Sequence, residues 1–293
     1  MLKFKASLEH SRVSSKLLLM LGVTTLFTML GIMSWQLLTG GDASTIESLK
    51  ILQFFQSLGM FVIPPFILAY FWNSKPLTHL HLTAKTPFKY YLIVVLIMVL
   101  LIPFINLLTD INHQLVLPES LAWLEKEIKL AEEQSNHLTE QFLSGSGMKV
   151  LFFNILLIAI MPALGEELFF RGSIFNIVRQ WKGAVVAIWL TAAIFSAIHF
   201  QFYGFVPRLL LGAFFGYLLL WSGNMWLPIL AHFVNNLMAV VFFYLKNNGY
   251  QVMDIDTIGT GTTIWLGFVS GTVCVITVYF FRKMILNTSS NPI

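Results

Sequence analysis

Stretches of about twenty mostly apolar residues recur along the chain, and they leave few folds open to it. A helix that crosses a bilayer needs roughly 20 such residues. Eight stretches approach that length: 17–38, 51–72, 90–108, 150–164, 183–200, 205–221, 225–245 and 262–281. The fourth is expected to continue as helix to about Arg179, which would make it long, tilted or broken. Hydrophobic residues make up 57% of the chain and charged residues only 11%, against roughly 25% charged in a soluble domain. That is too little charge to coat a water-facing surface. The expectation is an all-α, polytopic membrane protein with about eight transmembrane helices, organised as a single membrane domain over residues 1–293.

The apolar stretch that follows Lys3, Lys5, Arg12 and Lys16 has no short core or small-residue cleavage site. It reads as a retained first helix rather than a signal peptide. The single cysteine, Cys274, lies in an apolar run and has no internal partner for a disulfide.

The small positive net charge, +4, is explained by topology rather than by nucleic acid. With the N-terminus in the cytoplasm, the inner segments hold Lys3, Lys5, Arg12, Lys16, Lys75, Lys85, Lys89, Arg171, Arg179, Lys182, Arg282 and Lys283. The outer segments hold Lys50, Lys126, Lys129, Lys149, Arg208 and Lys246. This bias favours both termini inside. The longest loop, 109–149, then lies outside. Its segment 118–142 has apolar residues near helical spacing and a Glu125–Lys129 pair at i,i+4. Such a helix is expected to lie on the bilayer as a connector; the alternative is a surface helix that gates a cavity.

Charged groups at mid-membrane cost roughly 2.5–3.5 kcal/mol on insertion scales and usually face a cavity or a partner. Here they are few: Glu166 and Glu167 at the end of the fourth run, His199 at the end of the fifth, and His232, Asn235 and Asn236 inside the seventh. Glu166 and His199 lie about sixteen and seventeen residues to either side of the bend at Trp181–Lys182. At 1.5 Å per residue both sit ~25 Å from it, at nearly one depth. His232 and Asn236 lie roughly 14–20 Å beyond the next bend, at Ser222–Gly223, and share a helix face. Three helices can therefore bring Glu166 or Glu167, His199, His232 and Asn236 to one cavity. Glu167 and Arg171 are spaced for an i,i+4 pair, which leaves Glu166 for chemistry, although the reverse assignment stays open. His79, His81, His113 and His137 sit in loops and are assigned no role.

A carboxylate, two imidazoles and a carboxamide suffice to hydrolyse an amide. The carboxylate takes a proton from water, an imidazole assists or protonates the leaving amine, and Asn236 stabilises the oxyanion. Glu166, His199 and His232 are equally candidates to bind a divalent metal, zinc among them, whose water attacks; the choice between no cofactor and a metal stays open. There is no H-E-x-x-H, no G-x-S-G of the rhomboid type and no Asp in an apolar run. A proton-coupled transporter also uses buried Glu and His, but paired interrupted helices in corresponding halves are missing. A non-catalytic immunity protein that binds a peptide in the same cavity is a third class.

Glu166-Glu167-Leu168-Phe169-Phe170-Arg171 looks like E-E-x-x-x-R, Phe195 to His199 like F-x-x-x-H, and His232 to Asn236 like H-x-x-x-N. In this order on successive helices they resemble the type II CAAX prenyl endopeptidases and their bacterial relatives, the CPBP or Abi family. The motif-bearing core is at about 150–245. The resemblance implies an intramembrane endopeptidase with eight helices and a site open to the cytosol. It implies that Glu166 activates water with His199, and that His232 and Asn236 lie where the oxyanion forms. Whether such enzymes use a metal stays open. Its partners would be membrane lipid and a peptide or lipid-modified protein. Short cytoplasmic loops and the lack of a targeting tail point to a bacterial cell membrane.

Overall fold

The computed structural model describes residues 4–115, 117–251 and 254–288; Lys3, counted above among the inner basic residues, lies outside them. Every regular element among the described residues is helical. In chain order the main helices are α1 (Val13–Thr39), α2 (Ile46–Trp72), α3 (Phe88–Leu100), α4 (Ile102–His113), α5 (Ala122–Leu143), α6 (Met148–Lys182), α7 (Ala184–Ala197), α8 (Phe205–Ser222), α9 (Trp226–Asn247) and α10 (Ile264–Thr288).

Six of these, α1, α2, α6, α8, α9 and α10, are long and apolar enough to cross a membrane. Their lipid-directed character is visible on the outside. Leu18, Leu37, Phe88 and Val275 are each at least 70% exposed, which water would penalise and hydrocarbon does not. Packing between such helices rests on van der Waals fit and interhelical hydrogen bonds, since lipid tails are as apolar as Leu.

The third and fifth expected spans come out differently. The third breaks into α3 and α4, bent by 41°. Pro103 sits in the first turn of α4. It has no N–H to continue the α3 ladder, so the helix restarts there. The fifth span, expected over 183–200, is only the 14-residue α7, and His199 lies beyond its C-terminus. The sixth, the shortest by sequence, is instead a full 18-residue helix.

The fourth span is the longest. Helix α6 runs 35 residues, ~50 Å at 1.5 Å per residue, well beyond the ~30 Å hydrocarbon. Two π-helical turns, Ile155–Ile160 and Phe170–Ile174, interrupt it on either side of the Glu pair. Such bulges re-aim the side chains of a helix and are frequent at functional sites. From Leu168 to Val178 the helix is buried throughout, so its lower half is the centre of the bundle. Around it pack Leu68, Trp72, Ala192, Phe195, Leu219 and Ile229.

The bend between α8 and α9 positions the rest of the site. Gly223 closes α8 in the left-handed region, φ 65°, where a side chain would clash with its own carbonyl. Asn224 then anchors the turn: its carboxamide donates to Thr86 Oγ1 and Tyr91 Oη, and its Oδ1 accepts from the Trp226 N–H.

Segment 118–142 is helical over Ala122–Leu143 as expected, but it is not a connector lying free on the bilayer. Glu132 of α5 is 8% exposed and accepts from the Tyr203 N–H at 3.4 Å. Ser135 and Asn136 both take hydrogen bonds from Gln201 Nε2, and Leu143 O takes one from Asn247. These bonds make α5 a roof fastened to the loop that follows α7 and to the end of α9.

Candidate active site

The Glu pair sits in the middle of α6, between its two π turns. Being adjacent, the two carboxylates point ~100° apart, and their surroundings differ accordingly.

Glu167 is fully buried. One oxygen, Oε1, accepts from Arg171 Nη1 at 2.9 Å and faces His232 Nδ1 at 2.9 Å. Arg171, 1% exposed, also donates from Nη2 to the Gly212 carbonyl at 2.7 Å. Its guanidinium lies 5.0 Å from the Phe195 ring centre and 5.6 Å from that of Phe215. A Cβ on residue 212 would come within 3.3 Å of Arg171 Nη2 and 3.2 Å of the Ala192 side chain, so any larger residue would make those neighbours shift by a few tenths of an ångström. A buried charge needs both a counter-ion and further hydrogen bonds. Glu167 and Arg171 supply these to each other and thereby tie α6, α8 and α9 together.

Glu166 faces the other way, onto a cavity of about 890 Å³ whose wall includes His199, Arg208, His232, Asn235 and Asn236. Its Oε2 lies 3.9 Å from His232 Nε2, too long for a direct hydrogen bond. Among the described residues no group donates a hydrogen bond to that oxygen. Of the two carboxylates, Glu166 is the one left free at the cavity.

The histidine tautomers follow from their partners. His232 Nδ1 faces Glu167 Oε1, an oxygen that already accepts from Arg171, so Nδ1 carries the proton. Its ring stacks on Phe215, centroids 5.4 Å apart, leaving the Nε2 lone pair toward Glu166. His199 Nδ1 lies 2.7 Å from the Phe195 carbonyl. A carbonyl only accepts, so here too Nδ1 is protonated and Nε2 is free. No direct hydrogen bond joins His199 to Glu166 among the described residues; they share the cavity wall.

Asn236 Nδ2 donates to the Ile158 carbonyl at 3.1 Å, and its Oδ1 accepts from Asn235 at 3.2 Å. This bond ties α9 to the first π turn of α6. One amide N–H of Asn236 is spent there, and the second remains.

Arg208 is the residue whose place in the site was missed. It was counted only as a loop charge, yet it lines the cavity beside Glu166. About fourteen residues separate it from the Ser222–Gly223 bend, ~21 Å of helix, which is the depth of His199 and Glu166; that spacing was the available signal. Its Nη2 donates to Gln201 Oε1 at 2.6 Å. Arg208 thus fixes Gln201, and Gln201 fixes the α5 roof. Arg208→Leu is expected to loosen loop 198–204 and α5. With a charge-assisted bond worth ~1.5–3 kcal/mol removed, amide hydrogen exchange there should quicken by roughly tenfold or more; unchanged exchange would refute this fastening. His113, given no role above, also lines the cavity and stacks on Tyr203 at 4.7 Å.

The candidate metal ligands Glu166, His199 and His232 do not converge. Among the described residues no three His, Cys, Asp or Glu side chains come together as a ligand set, whereas a zinc site needs at least three within ~2.0–2.3 Å of one point. No step is therefore derived through a metal.

Comparison with known families comes down on the same part of the chain. Residues 148–238 match the family described as type II CAAX prenyl endopeptidase Rce1-like, just under a third of the 293 residues. No curated protein and no solved structure matches. The matched segment begins at the first residue of α6 and ends two residues beyond Asn236, so it contains all three motifs. Segment 148–238 of this multi-pass membrane protein is thus similar to the Rce1-like, type II CAAX prenyl endopeptidase family.

Proposed function

We propose that the chain is an intramembrane endopeptidase that hydrolyses a peptide bond near the C-terminus, or in a membrane-associated segment, of a peptide or lipid-modified protein. The observation that carries this reading is the division of labour between the two glutamates. Glu167 is consumed by Arg171 and His232, while Glu166 is free at the cavity, 3.9 Å from an imidazole lone pair.

In this mechanism Glu166 takes a proton from the attacking water, and the His199 Nε2 lone pair orients that water. The remaining N–H of Asn236 donates to the oxyanion of the tetrahedral intermediate. A proton passed from Glu166 to His232 Nε2 turns that ring into a second donor, with Glu167 as its counter-charge. Collapse of the intermediate returns a proton to the leaving amine. Phe195 and Phe215 keep the cavity wall apolar behind the reacting groups. Every step uses groups the chain itself supplies.

The domain is taken as one membrane unit over 1–293 with its core at 150–245. Bent α3–α4 and short α7 each complete one crossing, giving eight in a bacterial cell membrane with both termini cytoplasmic. The test compares membrane peptidomes of cells carrying the native chain or Glu166→Gln. Fragments present only with the native chain support the reading. Identical peptidomes, together with pH-dependent solute flux into proteoliposomes, would replace it with the transporter.

A further inference from the structure

The bundle has two ends, and its hydrogen bonds assign each loop to one of them. At the first end the N-terminal segment meets α2, through Ala6 N–H to Tyr70 O, and Lys16 reaches Gln180. Loop 73–87 meets the α8–α9 turn there, through Met225 N–H to His81 O. The end of α10 joins it through Tyr90 Oη to Met284 O. At the second end Lys50 reaches Asn154, Asn112 reaches the Phe202 and Tyr203 carbonyls, and Asn106 reaches Ile255 O. Helix α5 is fastened at this second end by Gln201 and Asn247.

The cavity belongs to the second end. Besides Glu166, His199 and His232, its wall includes His113 at the end of α4, Glu132 and Asn136 of the roof helix, and Gln201 and Asp256 of the loops at that end. None of its lining comes from loop 73–87 or the α8–α9 turn.

The two ends differ in charge. Set aside Arg171, which is buried against Glu167. Among the described residues the first end carries ten Lys and Arg, with Glu9 as its one carboxylate. The second end carries six Lys and Arg against eleven Asp and Glu. An excess of Lys and Arg in short loops marks the cytoplasmic side, so the first end is cytoplasmic and the cavity mouth is on the other side. The resemblance implied a site open to the cytosol, and this chain's own charges point the opposite way.

We propose that the cavity is entered from the extracytoplasmic face, so that its substrate class is a peptide segment exported or exposed on the outer leaflet. The catalytic half of this statement rests on the peptidase reading above; the access side rests only on the charges and the geometry. The roof adds a detail. Trp123, Leu130 and Leu138 on α5 are 67%, 42% and 47% exposed, while Glu132 and Asn136 of the same helix turn to the cavity. The same outward stripe carries the exposed Glu127 and Gln134, and a helix face that mixes large apolar and polar groups suits the interface. A segment anchored in the outer leaflet would meet the mouth at that depth.

The test uses the full chain in intact cells. Cys274, the one native cysteine and a buried one, is replaced by serine. Single cysteines are then placed at Thr139→Cys in the cavity wall, Ser146→Cys in the loop between α5 and α6, and Ser74→Cys at the opposite end, all three exposed. A membrane-impermeant maleimide is added before and after lysis. The access side predicts that the cysteines at 139 and 146 label in intact cells at least about tenfold more than the one at 74, which labels only after lysis. Labelling of the cysteine at 74 in intact cells, with or without the others, overturns the proposal. The two readings fail separately. If labelling is as expected but peptidomes of native and Glu166→Gln cells are identical, the access side stands and the peptidase reading falls.

Discussion

Glu166→Gln is expected to cut the rate of peptide cleavage by about 10²–10⁴-fold, the usual contribution of a positioned general base, and to leave thermal stability in detergent near that of the native chain. The substitution keeps the volume and the polarity of the side chain and removes only its ability to take a proton. Stability should survive because Glu166 carries no structural bond among the described residues: Oε2 accepts no hydrogen bond there, and the His232 imidazole nitrogen is 3.9 Å away. Glu167→Gln is the contrasting variant. It withdraws the counter-charge of Arg171 and the acceptor of His232 Nδ1 together, so it should lower both stability and activity. Cleavage kinetics on a purified membrane peptide and a melting curve of each variant decide the matter. Undiminished cleavage by Glu166→Gln would sink its assignment as the base. A stable but inactive Glu167→Gln would move the base one residue along.

Much of this arrangement was readable in the sequence because depth in a helical bundle is arithmetic. Sixteen residues back from one bend and seventeen forward from it place Glu166 and His199 together, and the structure brings both to one cavity. The i,i+4 spacing likewise anticipated the Glu167–Arg171 pair. What escaped was whatever depends on contacts across helices. Asn236 spends half its donor capacity on the Ile158 carbonyl, and no spacing rule connects residues 78 apart. Arg208 was read as a topological charge because hydropathy treats every loop-proximal cation alike. The amphipathicity of segment 118–142 is plain in the sequence, but periodicity alone does not separate a connector on the bilayer from a helix whose Glu132 and Asn136 line a cavity. His199 was placed inside a span, although the helix ends two residues earlier at Ala197.

Arg171→Met is expected to be the most destabilising single substitution at the site, by about 3–5 kcal/mol, because it leaves the Glu167 carboxylate buried without its charge partner. Glu167 is 0% exposed and its second oxygen already lacks a hydrogen-bond donor, so water cannot take over the role of the guanidinium. The alternative account, in which Arg171 matters for its bulk between Phe195 and Phe215, predicts something different, since Met fills a similar volume and would then cost little. The double variant Arg171→Met with Glu167→Leu separates them. Replacing a whole buried ion pair by apolar groups is often neutral, so the double variant should regain most of the lost stability if charge isolation is the cause. It should nevertheless stay inactive, since His232 Nδ1 would have lost the carboxylate that sets its tautomer. Unfolding measured in one detergent across the native chain, the single variant and the double should therefore rank the single lowest. Cleavage should be absent from both variants. If the double is no more stable than the single, the pair holds the bundle by shape rather than by charge, and the reading of Glu167 as the clamp on His232 loses its energetic basis.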